Sequence, residues 1–275
     1  MMPLLATFAG VTGLSIGSFL NVVIYRVPRA LSVVNPPSAC PGCGMHIRGR
    51  DNVPVVSWLA LGRRCRECRM PISARYPLIE VLTGIAFVLV ALFFAPAIAR
   101  AQGAAEIVGA VLELLAFLVL VAVTVALSAI DFELRRLPNR ILAFAFVAGV
   151  VLLVPAVLLA GRPDLLVSAA VGAVGSLAFY LLLALISPRG MGMGDVKLAG
   201  VLGLYLGALG WAQLAVGVIA AFAVGAIAGA IVLIARRSLA DRRVPFGPWM
   251  FAGAWIGIVG GEAIAAGYLA AVGLG

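Results

Sequence analysis

Residues 107–131 read IVGAVLELLAFLVLVAVTVALSAID, an apolar run that holds one charged residue, Glu113, before it ends at Asp131. About 20 consecutive apolar residues are enough for an α-helix to cross the hydrocarbon core of a bilayer. The stretch therefore predicts a transmembrane helix that ends in a carboxylate. Ionisable groups at membrane depth are costly, so Asp131 is a candidate functional residue.

The chain as a whole has the same apolar character, with 64% hydrophobic and 11% charged residues. Soluble domains are nearer half apolar and a quarter charged. We therefore predict an all-α polytopic membrane protein with about eight transmembrane helices and a small cytoplasmic zinc-binding loop domain. The predicted spans are Leu4–Tyr25, Pro77–Ala99, Ile107–Ile130, Ile141–Ala160, Leu165–Ile186, Leu198–Trp211, Gln213–Ala235 and Phe246–Ala271.

The basic residues predict the orientation of these spans. Eighteen of the 20 fall in loops on one side, and only Arg100 and Arg162 fall on the other. Because positive loops stay in the cytoplasm, we expect both chain termini outside. Charges that flank membrane spans explain the net charge of +9 without a nucleic-acid partner, and membrane lipid is the expected surrounding. The loops after the fifth and seventh spans contribute Arg189, Lys197, Arg236, Arg237, Arg242 and Arg243.

All four cysteines lie in the first cytoplasmic loop, in two C-x-x-C motifs formed by Cys40 with Cys43 and by Cys65 with Cys68. Two such motifs complete the tetrahedral thiolate shell of a structural zinc site. Disulfides are the alternative, which the reducing cytosol disfavours. A thioredoxin-like redox pair is a second alternative, but no βαβ pattern accompanies it. His46 is the only histidine, and we expect it to be a solvated loop residue, which argues against Ser–His or Cys–His proteolysis.

A second aspartate motif, Gly190-Met-Gly192-Met-Gly194-Asp195-Val-Lys197, precedes the sixth span. The predicted topology brings Asp131 and Asp195 to the same membrane boundary. Two close carboxylates share one proton, and such a pair can activate water to attack a peptide bond. Structural roles stay open: Asp195 could cap the following helix, and Asp131 could pair with Arg135 or Arg136.

Taken together, the motifs resemble the type IV prepilin peptidase family (leader peptidase/N-methyltransferase), which are GxGD-type membrane aspartic proteases. The resemblance covers nearly the whole chain. It is carried by Gly17–Arg26, the twin C-x-x-C loop, Arg75–Glu80, Asp131–Asn139, Gly192–Asp195 and Pro245–Pro248.

The resemblance implies a multi-pass protease of the bacterial inner membrane that cuts prepilin or pseudopilin precursors at the cytoplasmic face. Asp131 and Asp195 would be its catalytic residues. Supporting motif residues would be Gly192, Gly194, Lys197, Pro138 and Asn139. The implied organisation is a first transmembrane helix (1–25), a cytoplasmic four-cysteine zinc domain associated with methyl transfer (26–76) and a seven-helix peptidase domain (77–275).

The resemblance also implies N-methylation of the new N-terminal residue, with S-adenosylmethionine as the methyl donor. Glu80, Gly17 and Asn21 are the candidate residues for that activity. Their structural alternatives are an ion pair of Glu80 with Arg75, a helix-start carboxylate, and helix–helix packing by Gly17 and Asn21. The sequence carries no GxGxxG loop of a soluble nucleotide-binding fold.

Two other functions remain possible from the residues alone. In an ion- or proton-coupled transporter the same aspartates would bind the ion, although transporter sites usually lie at the bilayer midplane and not at one boundary. A non-catalytic assembly subunit would use only the cysteine loop to bind its partners.

Overall fold

The computed structural model describes residues 2–187, 190–236 and 245–273. These ranges contain nine α-helices and two isolated β-bridges, so the predicted all-α fold class is confirmed. The helices are α1 (Met2–Arg26), α2 (Val56–Ala60), α3 (Arg75–Arg100), α4 (Ala104–Leu134), α5 (Asn139–Leu159), α6 (Asp164–Ile186), α7 (Met193–Leu209), α8 (Trp211–Arg236) and α9 (Gly247–Ala271).

Within the described ranges, seven helices are long and apolar enough to cross a membrane. The remaining predicted span is the sixth, Leu198–Trp211, which corresponds to α7; this helix has 17 residues and a length of about 25 Å at 1.5 Å per residue. It begins at Met193, five residues before the predicted start at Leu198, because local hydrogen bonds extend the helix beyond its apolar run. It ends at Leu209, before Gly210, whose φ is 140°.

The predicted orientation of the spans remains a prediction. Part of the charge pattern behind it lies outside the described residues, namely Arg189, Arg237, Asp241, Arg242 and Arg243.

The chain divides into two compact units. The first contains Met1–Arg100 and Phe117–Ala129, and in it α1 packs along α3. The second contains Ala101–Ala116 and Ile130–Gly275, and in it α6 packs on α7 and α8 packs on α9. The middle of α4 therefore belongs to the first unit, whereas both of its ends belong to the second. The functional boundaries predicted at residues 25 and 76 stay predictions.

Helix α7 is buried along most of its length because small residues let α6 approach its backbone. A Cβ atom on Gly172 of α6 would collide with the carbonyl oxygen of Gly203 of α7. In the same interface Ser168 Oγ donates a hydrogen bond of 2.6 Å to the carbonyl of Gly207. Lipid gives helices no hydrophobic reason to associate, so close backbone packing and such hydrogen bonds hold them together.

We expect Gly172→Ala to lower the free energy of unfolding by about 1–3 kcal/mol, because the added methyl group overpacks the α6–α7 contact. The matched variant is Gly175→Ala on the same helix, where a Cβ meets no atom within 4 Å. It should be neutral or slightly stabilising, since alanine favours helix over glycine. Thermal unfolding in detergent micelles distinguishes the variants, and equal melting temperatures would contradict the close packing.

Candidate functional site

Asp131 lies in the last turn of α4, and its side chain is buried with 5% of its surface exposed. The helix ends three residues later because Arg135 takes a left-handed conformation, with φ of 52°. Asp131 Oδ2 accepts a hydrogen bond of 3.1 Å from the backbone N–H of Gly247, at the start of α9. A Cβ atom on Gly247 would lie only 2.8 Å from that oxygen, so the contact requires glycine.

Asp195 lies in the first turn of α7, where its Oδ2 accepts a hydrogen bond of 3.1 Å from the N–H of Gly192. This is the carboxylate half of a capping box, and it satisfies one of the donors that a helix start leaves unpaired. The capping role that the sequence suggested for Asp195 is therefore present. It leaves the second carboxylate oxygen available for chemistry.

Leu137 connects the two aspartate motifs. Its side chain packs on Gly194, where an added Cβ would approach Leu137 Cβ to 3.0 Å. The same side chain packs on Gly247, where an added Cβ would lie 3.3 Å from Leu137 Cδ2. Since Gly194 precedes Asp195 and Gly247 binds Asp131, the structure brings both motifs to one place.

The supporting motif residues lie at the same helix ends. Pro138 is the extended residue that begins α5. Asn139 follows it, and its Oδ1 accepts a hydrogen bond of 2.9 Å from Lys197 Nζ on α7. The site thus joins the end of α4 to the starts of α5, α7 and α9. Helix starts carry partial positive charge, and the starts of α7 and α9 each bring a backbone N–H to one of the two carboxylates.

Three residues of this site were given no role by sequence reasoning. Leu137 carried no signal, because a leucine in a turn says nothing without its contacts. Gly247 belongs to the Pro245–Pro248 motif, but only the structure shows that its N–H binds Asp131. Tyr180 is the third addition: it is buried on α6, and its ring centroid lies 6.5 Å from that of Phe246, the residue before Gly247.

The four cysteines form a second site in the first unit. One sulfur from each of Cys40, Cys43, Cys65 and Cys68 lies within 4.8 Å of the other three, and Cys40 Sγ is 3.7 Å from Cys68 Sγ. Tetrahedral zinc with Zn–S bonds of about 2.3 Å separates its sulfurs by about 3.8 Å. The donor set and its spacing therefore fit a metal ion such as zinc. His46 is exposed and is not part of the cluster.

The two C-x-x-C turns have the same backbone geometry. In each, the first cysteine donates its N–H to the carbonyl five residues later, at 3.0 Å for Cys40 and 2.8 Å for Cys65. The residue four positions after that cysteine is left-handed, with φ of 72° at Gly44 and 59° at Arg69. This repeated turn points both sulfurs of a motif to one side, as a shared metal requires.

Backbone amides also prepare the sulfur of Cys40. Hydrogen bonds from the N–H groups of Cys43 and Gly42 lower the pKa of the Cys40 thiol to about 7. Although the Met70 backbone hydrogen bond lowers it, burial and the hydrogen bonds of the other three cysteines together raise the pKa of the Cys68 thiol to about 11. Metals bind the thiolate and not the thiol, so the shift at Cys40 favours metal binding and the shift at Cys68 opposes it.

The structure brings Gly17, Asn21 and Glu80 together where α1 crosses α3. A Cβ atom on Gly17 would lie 2.7 Å from Glu80 Cα, and Asn21 Nδ2 donates to the carbonyl of Tyr76 at 3.2 Å. The helix-packing role expected for Gly17 and Asn21 is thus present. Glu80 is buried, and its Oε2 accepts a hydrogen bond of 2.7 Å from the N–H of Val55.

Comparison with known proteins finds two family matches along the chain. Residues 11–94 match the bacterial peptidase A24 N-terminal domain, and residues 117–234 match the type IV leader peptidase family. A prepilin leader peptidase/N-methyltransferase of Aeromonas hydrophila is 34% identical over an alignment of 296 residues including gaps, and the alignment covers 93% of this chain and 91% of the relative. The chain belongs to the type IV leader peptidase family. The resemblance inferred from the motifs is confirmed.

Two further relatives of this chain are also named prepilin leader peptidase/N-methyltransferase. That of Myxococcus xanthus (strain DK1622) is 40% identical over 234 residues, which cover 85% of this chain but 64% of the relative. That of Burkholderia pseudomallei (strain 1026b) is 35% identical over 276 residues, with 90% and 82% covered. No solved structure matches the chain significantly. Family and candidate spans together support a multi-pass protein of the bacterial inner membrane.

Each matched region contains one of the two sites of this chain. The N-terminal domain match contains the four cysteines and the crossing of Gly17, Asn21 and Glu80. The leader peptidase match contains Asp131 and Asp195.

We expect Glu80→Ala to lower the free energy of unfolding by about 1–3 kcal/mol, because the half-buried N–H of Val55 loses its acceptor, the buried Glu80 carboxylate. Hydrogen exchange at residues 50–57 should accelerate as well. The matched variant is Glu67→Ala, which removes an exposed ion pair with Arg48 of 3.1 Å. Such surface pairs contribute about 0–1 kcal/mol. Equal effects of the two variants would show that Glu80 does not anchor this segment.

Proposed function

We propose that this protein is an aspartic endopeptidase that removes the basic leader from type IV prepilin or pseudopilin precursors. The observation that supports this most directly is the packing of Leu137 against both Gly194 and Gly247, which assembles the two aspartate motifs. The names of its relatives supply the substrate class. Cleavage is proposed at the cytoplasmic membrane face, with both chain termini outside.

In this proposal Asp131 and Asp195 hold one proton between them. The ionised carboxylate removes a proton from a water molecule, whose oxygen attacks the scissile carbonyl carbon. The protonated carboxyl group donates to the carbonyl oxygen as it becomes negative. When the tetrahedral intermediate collapses, the C–N bond breaks and the amine leaves with a proton from the pair. The helix starts around the site offset the negative charge throughout.

The substrate proposal follows from where the pair lies on its helices. Asp131 is at the end of α4 and Asp195 is in the first turn of α7, so a scissile bond must be presented at the ends of the spans. A precursor with an apolar helix and a short basic leader fits this depth. Its helix would lie in lipid beside the spans, and its leader junction would reach the aspartates.

We also propose N-methylation of the newly exposed N-terminus by the first unit. S-adenosylmethionine would supply the methyl group, and Glu80, Gly17 and Asn21 are the proposed supporting residues. Their meeting at one helix crossing, within the match to the N-terminal domain, supports the assignment. Zinc held by the four cysteines is proposed as structural, because four thiolates leave no coordination position for a reactant.

The peptidase is tested by mass spectrometry of a pilin-like precursor incubated with the purified protein and the methyl donor. The wild type should yield a product that lacks the leader and carries one methyl group. Asp131→Asn and Asp195→Asn should leave the precursor uncut, because an amide keeps the shape of the side chain but loses its acid–base function.

The matched control for this experiment is Glu133→Gln, an exposed acid two residues after Asp131, which should cleave normally. Retained cleavage in either folded aspartate variant would remove the pair from consideration. Charge movement in proteoliposomes without any peptide product would favour the transporter instead.

For the metal site we expect about one zinc per chain after purification under reducing conditions, because the four-sulfur set suits zinc. Cys65→Ser should lose zinc and loosen the loop, since binding of a structural metal stabilises the fold. His46→Ala should keep its zinc, because the histidine lies outside the cluster. Elemental analysis measures all three, and wild-type protein without zinc would contradict the assignment.

A further inference from the structure

The first unit contains an open cleft of about 380 Å³, a volume typical of small-molecule sites. One wall is the face of α1 that carries Ser18, Phe19 and Arg26. The opposite wall comes from loop residues that include Pro36, Asn52 and Pro54. The lining mixes hydroxyl, amide and guanidinium groups with apolar surface, as expected for a ligand that is itself amphipathic. None of the proposed peptidase residues lines it.

Arg26 places a fixed positive charge in this cleft. Its guanidinium donates hydrogen bonds to the carbonyl oxygens of Ser32 at 2.9 Å and Pro36 at 2.7 Å. These bonds hold the side chain and the loop together and use two of its five N–H groups. A guanidinium held in this way is suited to a carboxylate, with which it forms charge-assisted hydrogen bonds.

Two hydrogen bonds fix the loop segment that carries Asn52 and Pro54. Val55 follows Pro54 and has φ of 61°, a conformation that β-branched residues rarely adopt. The buried carboxylate of Glu80 fixes it by accepting its N–H at 2.7 Å. Ser57 Oγ accepts the N–H of Val53 at 2.9 Å. Strain that surrounding groups maintain is typical of functional sites, and here it places Asn52 and Pro54 in the cleft.

The remaining lining groups suit a nucleoside. Phe19 exposes 49% of its surface, so its ring is available to stack on a planar base. The hydroxyl of Ser18 and the amide of Asn52 can bind sugar hydroxyls. The carboxylate, sugar and base of an adenosyl amino acid each have a complementary group in the cleft, and the hydroxyl oxygens of Ser15 and Ser38 are the lining acceptors for its ammonium group.

We propose that this cleft binds S-adenosylmethionine, with Arg26 on its carboxylate and Phe19 on its adenine. The inference rests on the proposed methyltransferase activity and gives that activity a location. Glu80 then acts as a positioning residue, because it shapes the wall through Val55 without itself lining the cleft.

The experiment measures binding of S-adenosylmethionine and its product S-adenosylhomocysteine to the full-length protein by calorimetry. Arg26→Gln should weaken both about 10- to 100-fold, because a charged hydrogen bond contributes about 1.5–3 kcal/mol. Because Arg26 also holds the loop, Phe19→Leu provides a second test: it changes an exposed ring and should weaken binding about threefold to tenfold.

Arg29→Gln is the matched control. Arg29 lies one turn further along the chain, where it donates to the carbonyl of Tyr25 at 2.7 Å and does not line the cleft. It should bind the donor as the wild type does. Titrations in nanodiscs with neutral or with anionic lipid test whether a lipid phosphate occupies Arg26 instead.

The outcomes separate the cleft from the activity. Wild-type affinity in both Arg26→Gln and Phe19→Leu would overturn the cleft assignment while the methyltransferase proposal stands. Equal losses in Arg29→Gln and Arg26→Gln would also overturn it, since overall charge would then explain binding. Donor binding only in neutral lipid would assign the cleft to anionic headgroups. If the wild-type protein neither binds S-adenosylmethionine nor transfers a methyl group, the proposed methyltransferase activity itself is contradicted.

Discussion

The hydrogen bond from Gly247 to the buried carboxylate of Asp131 is the contact on which the second unit is organised. A carboxylate away from water must find donors, because its desolvation is otherwise prohibitive. At the end of α4 the donor comes from a residue 116 positions later in the chain. The start of α9 must therefore lie against the end of α4, and the glycine at that position allows the approach.

Once that contact is made, the neighbouring helix ends have little freedom. Leu137 fills the space between Gly194 and Gly247, so the turn that follows α4 also positions α7. Lys197 then reaches Asn139 at the start of α5. Small residues do the same along the length of α7, where Gly172 and Gly203 allow backbone contact. The aspartate site and the α6–α7 interface therefore share one feature, which is a glycine at each position where a neighbouring segment approaches closely.

Much of this arrangement follows from local sequence patterns. Apolar runs predict the spans because about 20 apolar residues are needed to cross the hydrocarbon core. Two C-x-x-C turns predict a sulfur cluster because each motif places two sulfurs close enough to share one metal. The start of α7 at Met193 does not follow, since a hydrogen bond between Gly192 and Asp195 extends the helix beyond its apolar residues. Val55 could not be foreseen either, because its conformation depends on a partner 25 residues away in sequence. Contacts between residues that are far apart in the chain produce no periodicity or local motif, so the sequence does not predict them.

The twin sulfur turns differ in one respect that has a mechanical consequence. Glycine occupies the left-handed position of the first turn without strain, whereas the second turn forces Arg69 into the same conformation at a cost of about 1–2 kcal/mol. Backbone strain is therefore present only in the half of the cluster that contains Cys65 and Cys68. If the proposed metal ion were lost, Cys65 and Cys68 would gain more from unwinding than Cys40 and Cys43, so release of the ion should begin at that pair. The glycine-containing half would remain as a preformed template for recapture.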